Sequence, residues 1–200
     1  MSRNPLVIAV GRVAWGYVFF YCALPFGYMN YATIDLMPDW AFYAFALAAI
    51  PAIARRERSA ALLRPLGWLL LITEFIAWVL ESYEVTLTGW YVYLPGALCS
   101  VLAMYFHFQL LTNLADAAAP FVTRRVRSIK ALAAVSAVLA TLSTLPLPVD
   151  RLDEYDAGGL VMVIVLVWAI MLTWTLFTLT GLHGELRRAM PEDDIKEDGE

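Results

Sequence analysis

The chain has 200 residues, of which 61% are hydrophobic and 16% charged, and its formal net charge is −4. Soluble domains average about 45–50% apolar and about 25% charged residues, so this composition excludes an ordinary water-soluble domain, whose surface these few polar residues would not cover. The 14 Lys and Arg residues are scattered along the chain, which also argues against a surface that binds nucleic acid.

Long apolar runs dominate the sequence, and a helix needs about 20 mostly apolar residues to cross a bilayer. The second and third runs are short, which predicts spans that are tilted or that lie in a thinned bilayer. Pro51, near the end of the second run, is expected to kink or end that helix. The sequence therefore predicts an all-α, polytopic membrane helix bundle with about six transmembrane helices. In chain order the apolar runs cover residues 6–26, 40–54, 66–81, 90–113, 129–149 and 157–182.

The end of the chain has a different character. It includes the acidic stretch PEDDIKEDGE, which lacks apolar anchors. Such a composition is typical of solvated, disordered segments. We therefore expect one transmembrane domain over residues 1–189 and a disordered cytoplasmic tail over 190–200.

Basic residues fall on alternate connections between the predicted spans. Of the 14 Lys and Arg residues, Arg12 lies inside the first run. Twelve others lie before span one, in the connections between spans two and three and between spans four and five, or after span six. The other connections hold only Arg151 and carry acids instead. The positive-inside rule then places both termini in the cytoplasm. We expect a bacterial plasma (inner) membrane protein, and adding or removing one span would destroy this pattern.

Three ionisable side chains, Arg12, Glu74 and His107, lie within predicted spans, where such groups are costly and usually face the bundle interior. The helical rise places all three in the cytoplasmic third of the membrane, so they could meet. Small residues share their faces, such as Gly16 with Arg12 and Gly67 with Glu74, as is typical of helix contacts in membranes.

Two interpretations of these three residues stay open. In the first, Arg12 and Glu74 form an ion pair that docks spans one and three, with His107 as a hydrogen-bonded neighbour; alternatively, Arg12 extends to the inner interface. In the second, a protonatable Glu74, tuned by Arg12 and His107, lines a cavity open to the cytoplasm and couples proton movement to a substrate.

The connection after span one carries polar groups of its own. Asp35 and Asp39 flank a proline in IDLMPD, and Asp39 is placed to cap the N-terminus of span two with its side chain. Two carboxylates alone make a poor metal site, so no metal is expected. His183 lies at the inner end of span six, where a partial positive charge suits a helix C-terminus.

Motifs that carry chemistry are missing from the sequence. It contains no H-E-x-x-H, G-x-S-x-G, P-loop or G-x-G-x-x-G pattern. Cys22 and Cys99 each lie within an apolar run and are expected to be small apolar residues of helices. We therefore assign no catalytic residue and expect no cofactor.

One segment resembles a known group. ALPFGYMNYATIDLMPDWAFYAFALAAI, followed by a basic loop and LLRPLGWLLLITEFIAWVLE, resembles small multi-pass membrane proteins of Gram-positive bacteria that carry I-D-[IL]-L-P-D-F-I-G-Y after the first span. Trp40, Ala41 and Phe42 replace the Phe-Ile-Gly of that pattern. The resemblance implies a membrane location and fold but no activity, and it makes Asn30, Asp35 and Asp39 candidates in the outer connection. The matching residues are Ile34, Asp35, Leu36, Pro38, Asp39 and Tyr43.

These patterns predict a small transporter, channel or accessory subunit that acts on a solute or a lipid. The alternatives are a scaffold that binds a partner without transport, and a membrane-embedded enzyme acting on a lipid-like substrate. The expected partners are the lipid bilayer and either further copies of the chain or another membrane protein, because a bundle this small lines a pore more readily as an oligomer.

Overall fold

The structure is a computed structural model that describes residues 4–21, 38–83, 90–143 and 154–190. Within these ranges it is entirely helical, which confirms the all-α prediction and the presence of six α-helices. The helices are α1 (Pro5–Tyr21), α2 (Trp40–Ala54), α3 (Leu63–Ser82), α4 (Trp90–Ala118), α5 (Thr123–Ser143) and α6 (Glu154–Ala189), with a 3-10 helix (Arg58–Leu62) before α3.

Each helix coincides with one apolar run of the sequence. The bounds of α2 are those of the second run, and Pro51 is followed by one last turn that ends at Ala54, as expected of a residue that cannot continue the backbone ladder. The long helices α4 and α6 continue past their apolar runs into charged sequence. The acidic tail, from residue 191 onward, lies outside the described residues.

Among the described residues, three helical stretches are long and apolar enough to cross a membrane: Arg58–Ser82, Leu94–Ala118 and Leu166–Ala189. Helices α1 and α2 are also apolar but shorter, with 17 and 15 residues. At 1.5 Å per residue, α2 has a length of about 22 Å, less than the roughly 30 Å of a hydrocarbon core.

The six helices form a closed ring. Each contacts its neighbours in the sequence, and α6 returns to contact α1, while α2 also touches α4 across the middle. The α1–α2 contact is the most extensive. Buried side chains of α1, α2 and α4 form the centre, with Phe42, Tyr43 and Phe106 among the largest.

Glycines allow the closest helix approaches. A Cβ at Gly16 would lie 3.1 Å from Cδ2 of Phe42 and 3.3 Å from the Phe42 carbonyl oxygen, so a larger residue would require α2 to shift by a few tenths of an ångström. Gly67 does the same on α3, where a Cβ would lie 2.9 Å from Leu47 and 3.0 Å from Phe106. Both glycines belong to the faces that helical spacing selected as contact surfaces.

The outside of the bundle is apolar. On α3, Trp68 is 55% exposed and Ile72 is 53% exposed. On α6, Phe177 is 69% exposed. Soluble proteins rarely expose contiguous apolar surface of this kind. Further large apolar side chains at the surface are Trp15, Leu69, Phe75, Ile76, Leu94, Leu98, Val101, Met162, Val163, Leu166 and Ile170.

Polar contacts gather at the end of the bundle where the basic connections lie. The Arg56 guanidinium, after α2, stacks over the ring of Phe121, between α4 and α5, at 4.9 Å. The Ser59 hydroxyl lies 2.9 Å from Oδ1 of Asn113 on α4. Lys130 on α5 pairs with Asp116 at 2.7 Å. Two of the basic connections therefore lie on the same side of the bundle, as the alternating charge pattern requires.

A fourth contact at this end joins α5 to α6. Nε of Arg125 donates to Oε1 of Glu185 at 2.8 Å, and the guanidinium lies 5.2 Å from the centre of the Phe177 ring. The guanidinium occupies the space beside Gly181, where a Cβ would overlap it. Gly184, three residues further along α6, has no such neighbour within 4 Å of the position of a Cβ.

This pair of glycines supports a prediction. Alanine favours a helix over glycine by about 1 kcal/mol, so Gly184→Ala should stabilise the fold by that amount. Gly181→Ala gains the same helix preference but displaces Arg125, losing a partly buried ion pair and a cation–π contact that together contribute about 1 kcal/mol. We expect Gly184→Ala to melt about 2–4 °C above Gly181→Ala in the same detergent. Equal melting temperatures would show that the Arg125 contacts contribute no stability.

Candidate functional site

Arg12 ties α1 to α2. Its Nη1 donates a hydrogen bond of 2.7 Å to the carbonyl oxygen of Ala48, while the side chain stays exposed at the bundle surface. A guanidinium has five N–H donors, so this bond leaves most of its hydrogen-bonding capacity unused. Arg12 thus contributes to helix docking through the backbone of α2, and it also presents charge to the outside.

His107 lies at the centre of the bundle, only 9% exposed. Its ring stacks on Phe42 with centroids 4.3 Å apart, and Phe20 covers it at 4.5 Å. Nδ1 and the Tyr17 hydroxyl are hydrogen-bonded at 3.3 Å. Nε2 is buried without a hydrogen-bond partner in the part of the chain that the structure describes. This enclosure joins α1, α2 and α4 through one imidazole.

Glu74 lies on the inward face of α3, in line with the buried Leu63, Gly67 and Leu70, and is half-buried. Glu81 and the Tyr43 hydroxyl are close enough to interact with it electrostatically. It forms no hydrogen bond or ion pair with any described residue, and in particular none with Arg12. The proposed Arg12–Glu74 pair is therefore absent from the structure.

Arg12 lies at a different level of the bundle from Glu74 and His107. Phe75, next to Glu74, packs on Trp40 at the start of α2, with ring centroids 5.6 Å apart. Arg12 reaches Ala48, eight residues further along α2, which corresponds to about 12 Å. His107 packs on Phe42 and lies 6.0 Å from Tyr43, whose hydroxyl is near Glu74, so Glu74 and His107 lie at similar levels. The structure does not bring Arg12 to the other two residues.

The candidates of the outer connection are described only in part. Asn30 and Asp35 lie outside the described residues. Asp39 occupies the N-cap position of α2, but its backbone is helical (φ −58°, ψ −31°) and its side chain makes no capping hydrogen bond. The prediction of a side-chain cap was therefore wrong, because an N-cap side chain usually reaches the free amides from a non-helical backbone.

A groove between α1 and α6 opens to the outside of the bundle and has a volume of about 580 Å³. Its polar lining comes from Arg12, Thr180 and His183. The His183 ring lies along Gly11, 3.6 Å from where a Cβ would be. The apolar lining is formed by Val7, Ile8, Ala14, Trp15, Val18 and Leu176. The groove thus combines a cationic group and further donors with an apolar wall.

Sequence reasoning found Arg12 but assigned it to a different set of partners. Thr180 was missed, and His183 was considered only as a partner of the α6 helix dipole. The sequence did contain a signal that Arg12 and His183 lie at similar depth. Arg12 is the eighth residue of α1 and His183 the seventh from the end of α6, and the two termini are expected on the same side. Which face of α6 meets α1 could not be deduced from the sequence.

Comparison of the sequence with models of protein families, with curated proteins and with solved structures finds no match. The resemblance to the Gram-positive group stays a prediction. The function must therefore be argued from the described residues.

The enclosure of His107 yields a prediction. Tyr17→Phe removes the one partner of the imidazole and leaves both ring nitrogens unpaired in an apolar surrounding, which should destabilise the fold by about 1–2 kcal/mol. Tyr105→Phe removes the same atom from a side chain that is 53% exposed and should change stability by less than about 0.5 kcal/mol. Thermal unfolding of both variants in one detergent measures the difference, and equal melting would show that the Tyr17–His107 bond contributes nothing.

Glu74 yields a second prediction. Because its carboxylate has no ion-pair partner among the described residues, Glu74→Gln should leave the melting temperature at pH 7 unchanged or raise it, since an amide is cheaper to bury. Glu185→Gln breaks the pair with Arg125 and should lower stability by up to about 1 kcal/mol. A larger loss in Glu74→Gln than in Glu185→Gln would show that Glu74 binds a partner.

Proposed function

We propose that the chain is a multi-pass integral membrane protein with six spans and cytoplasmic termini, and that it handles lipid as a small transporter or accessory subunit. The observation that carries this proposal is the groove between α1 and α6, which opens sideways on an apolar exterior. A site that opens sideways on the apolar surface is reached from the bilayer, whereas a site for a water-soluble solute opens to water.

The apolar exterior supports the membrane location. Three stretches have the length and hydropathy of membrane spans, and their outer faces carry tryptophan, leucine, isoleucine and phenylalanine. The polar contacts between helices lie at the basic end, which the positive-inside rule assigns to the cytoplasm.

The groove favours a lipid over a proton-coupled solute. Coupling of Glu74 to Arg12 would need the two side chains to be close, and Arg12 reaches α2 about 12 Å from the level of Glu74. The groove also places the polar groups of Arg12 and His183 beside apolar residues of α1 and α6, as an amphipathic ligand requires.

A second candidate is a scaffold without transport activity. It is favoured by the structural use of the polar residues, since Arg12 binds the α2 backbone and Arg125 binds Glu185. This function needs no movement of a ligand.

Topology is tested first by cysteine labelling. In a variant without Cys22 and Cys99, Glu84→Cys should react with an impermeant maleimide from outside intact cells, and Arg127→Cys should react only in inside-out vesicles. A permeant maleimide that labels both is the control. Labelling of both positions from the same side would contradict the six-span arrangement.

Lipid handling is tested in vesicles that contain a fluorescent phospholipid. The wild type should speed the exchange of that lipid between leaflets, and Thr180→Trp, which fills the groove, should abolish the effect. Thr173→Trp makes the same change on another exposed position of α6 and should retain it. A protein with the expected topology but no effect on exchange would favour the scaffold.

A further inference from the structure

We propose that the groove between α1 and α6 is a site for an acidic phospholipid, with the head phosphate held by Arg12 and His183. This rests on the membrane location proposed above and names the ligand of that groove.

The charge of the groove supports an anion. Of the ten residues that line it, none is acidic, and its charged group is the Arg12 guanidinium. The nearest acid along α6, Glu185, is already paired with Arg125. A phosphate beside Arg12 would therefore meet a cation and donors without an opposing carboxylate.

The hydrogen-bonding geometry supports a phosphate. The planar guanidinium fork binds phosphate oxygens through two parallel N–H bonds, and one bond to Ala48 leaves donors available for it. His183 forms no hydrogen bond with a described residue, so its ring nitrogens are available to the ligand. Arg12 and His183 form the polar rim of the groove, whereas the Thr180 hydroxyl donates its hydrogen to the Leu176 carbonyl oxygen within α6.

The apolar wall supports an acyl chain. Trp15, Val18 and Leu176 extend the groove away from the polar rim, and Trp15 is 62% exposed. The volume of about 580 Å³ suits a headgroup with part of one chain, within the roughly 300–1,000 Å³ of common ligand sites. Basic pockets between helices on the cytoplasmic side are where acidic lipid headgroups bind.

The basic end of α6 adds to the attraction. Arg187 and Arg188 occupy its last turn and are exposed. Cationic side chains near an acidic membrane surface attract its lipids. Acidic lipid would thus be concentrated at the end of the bundle where the groove has its polar rim.

The test is native mass spectrometry of the detergent-solubilised protein titrated with phosphatidylglycerol, phosphatidylcholine or soluble glycerol phosphate. The wild type should bind phosphatidylglycerol at least about fivefold more tightly than phosphatidylcholine, because both carry the phosphate but the choline cation of the second is repelled by Arg12. It should not bind glycerol phosphate in the same range, because the acyl contacts are missing.

Variants locate the site. His183→Leu should weaken phosphatidylglycerol binding about tenfold, the factor for one charge-assisted hydrogen bond. Thr180→Trp should abolish binding by filling the groove. The controls Arg124→Leu, which removes an exposed cation from α5, and Thr173→Trp should bind as the wild type does. Arg12 is left unchanged because its loss would also undo the contact with α2.

Each other result overturns the proposal. Equal binding of both phospholipids would exclude recognition of an acidic headgroup. Equal binding of glycerol phosphate would make the ligand a free phosphate ester. Preference for phosphatidylglycerol that persists in His183→Leu and Thr180→Trp would place the lipid elsewhere. Cysteine labelling that contradicts the six spans would overturn the proposed topology. That experiment is independent of lipid binding, so the two failures can be told apart.

Discussion

The close approach of α1 to α2 at Gly16 is the constraint on which the rest of the bundle depends. Without a Cβ at this position, the backbone and ring of Phe42 come against α1, and the same ring then forms the stacking surface for His107 on α4. One turn away, the short distance between the two helices also lets Arg12 reach the Ala48 carbonyl. Packing thus places the polar contacts, which agrees with the general rule that small residues bring membrane helices together.

The polar residues of the bundle divide by level. At the basic end, Arg125 and Lys130 form ion pairs that join α5 to its neighbours, and at the centre His107 is enclosed by aromatic rings. Towards the other end, Glu74 faces inward without an ion pair to a described residue. Arg12 is thus separated from Glu74, and it lines the groove between α1 and α6 instead.

Hydropathy alone predicted the six helices, and spacing predicted that Gly16 and Gly67 face other helices. The charge pattern predicted that the basic connections converge, as the contact of Arg56 with Phe121 shows. The separation of Arg12 from Glu74 could not be predicted, because the contact of Phe75 with Trp40 sets α3 against the first turn of α2, and hydropathy does not contain that pairing. The contacts of Arg125 and His183 could not be predicted, because they depend on how neighbouring helices are rotated about their axes. The residue pattern of one helix does not give that rotation.

The groove is formed by the first and the last of the six described helices, and this has a consequence for biogenesis. A chain emerges N-terminus first, so α1 is made long before α6. Until α6 arrives, the surface of α1 with Arg12 and Trp15 has no opposite wall. A truncated chain that ends before α6 keeps the α1–α2 contact but has no groove, so occupancy of the groove by a lipid would report that synthesis has reached the last helix.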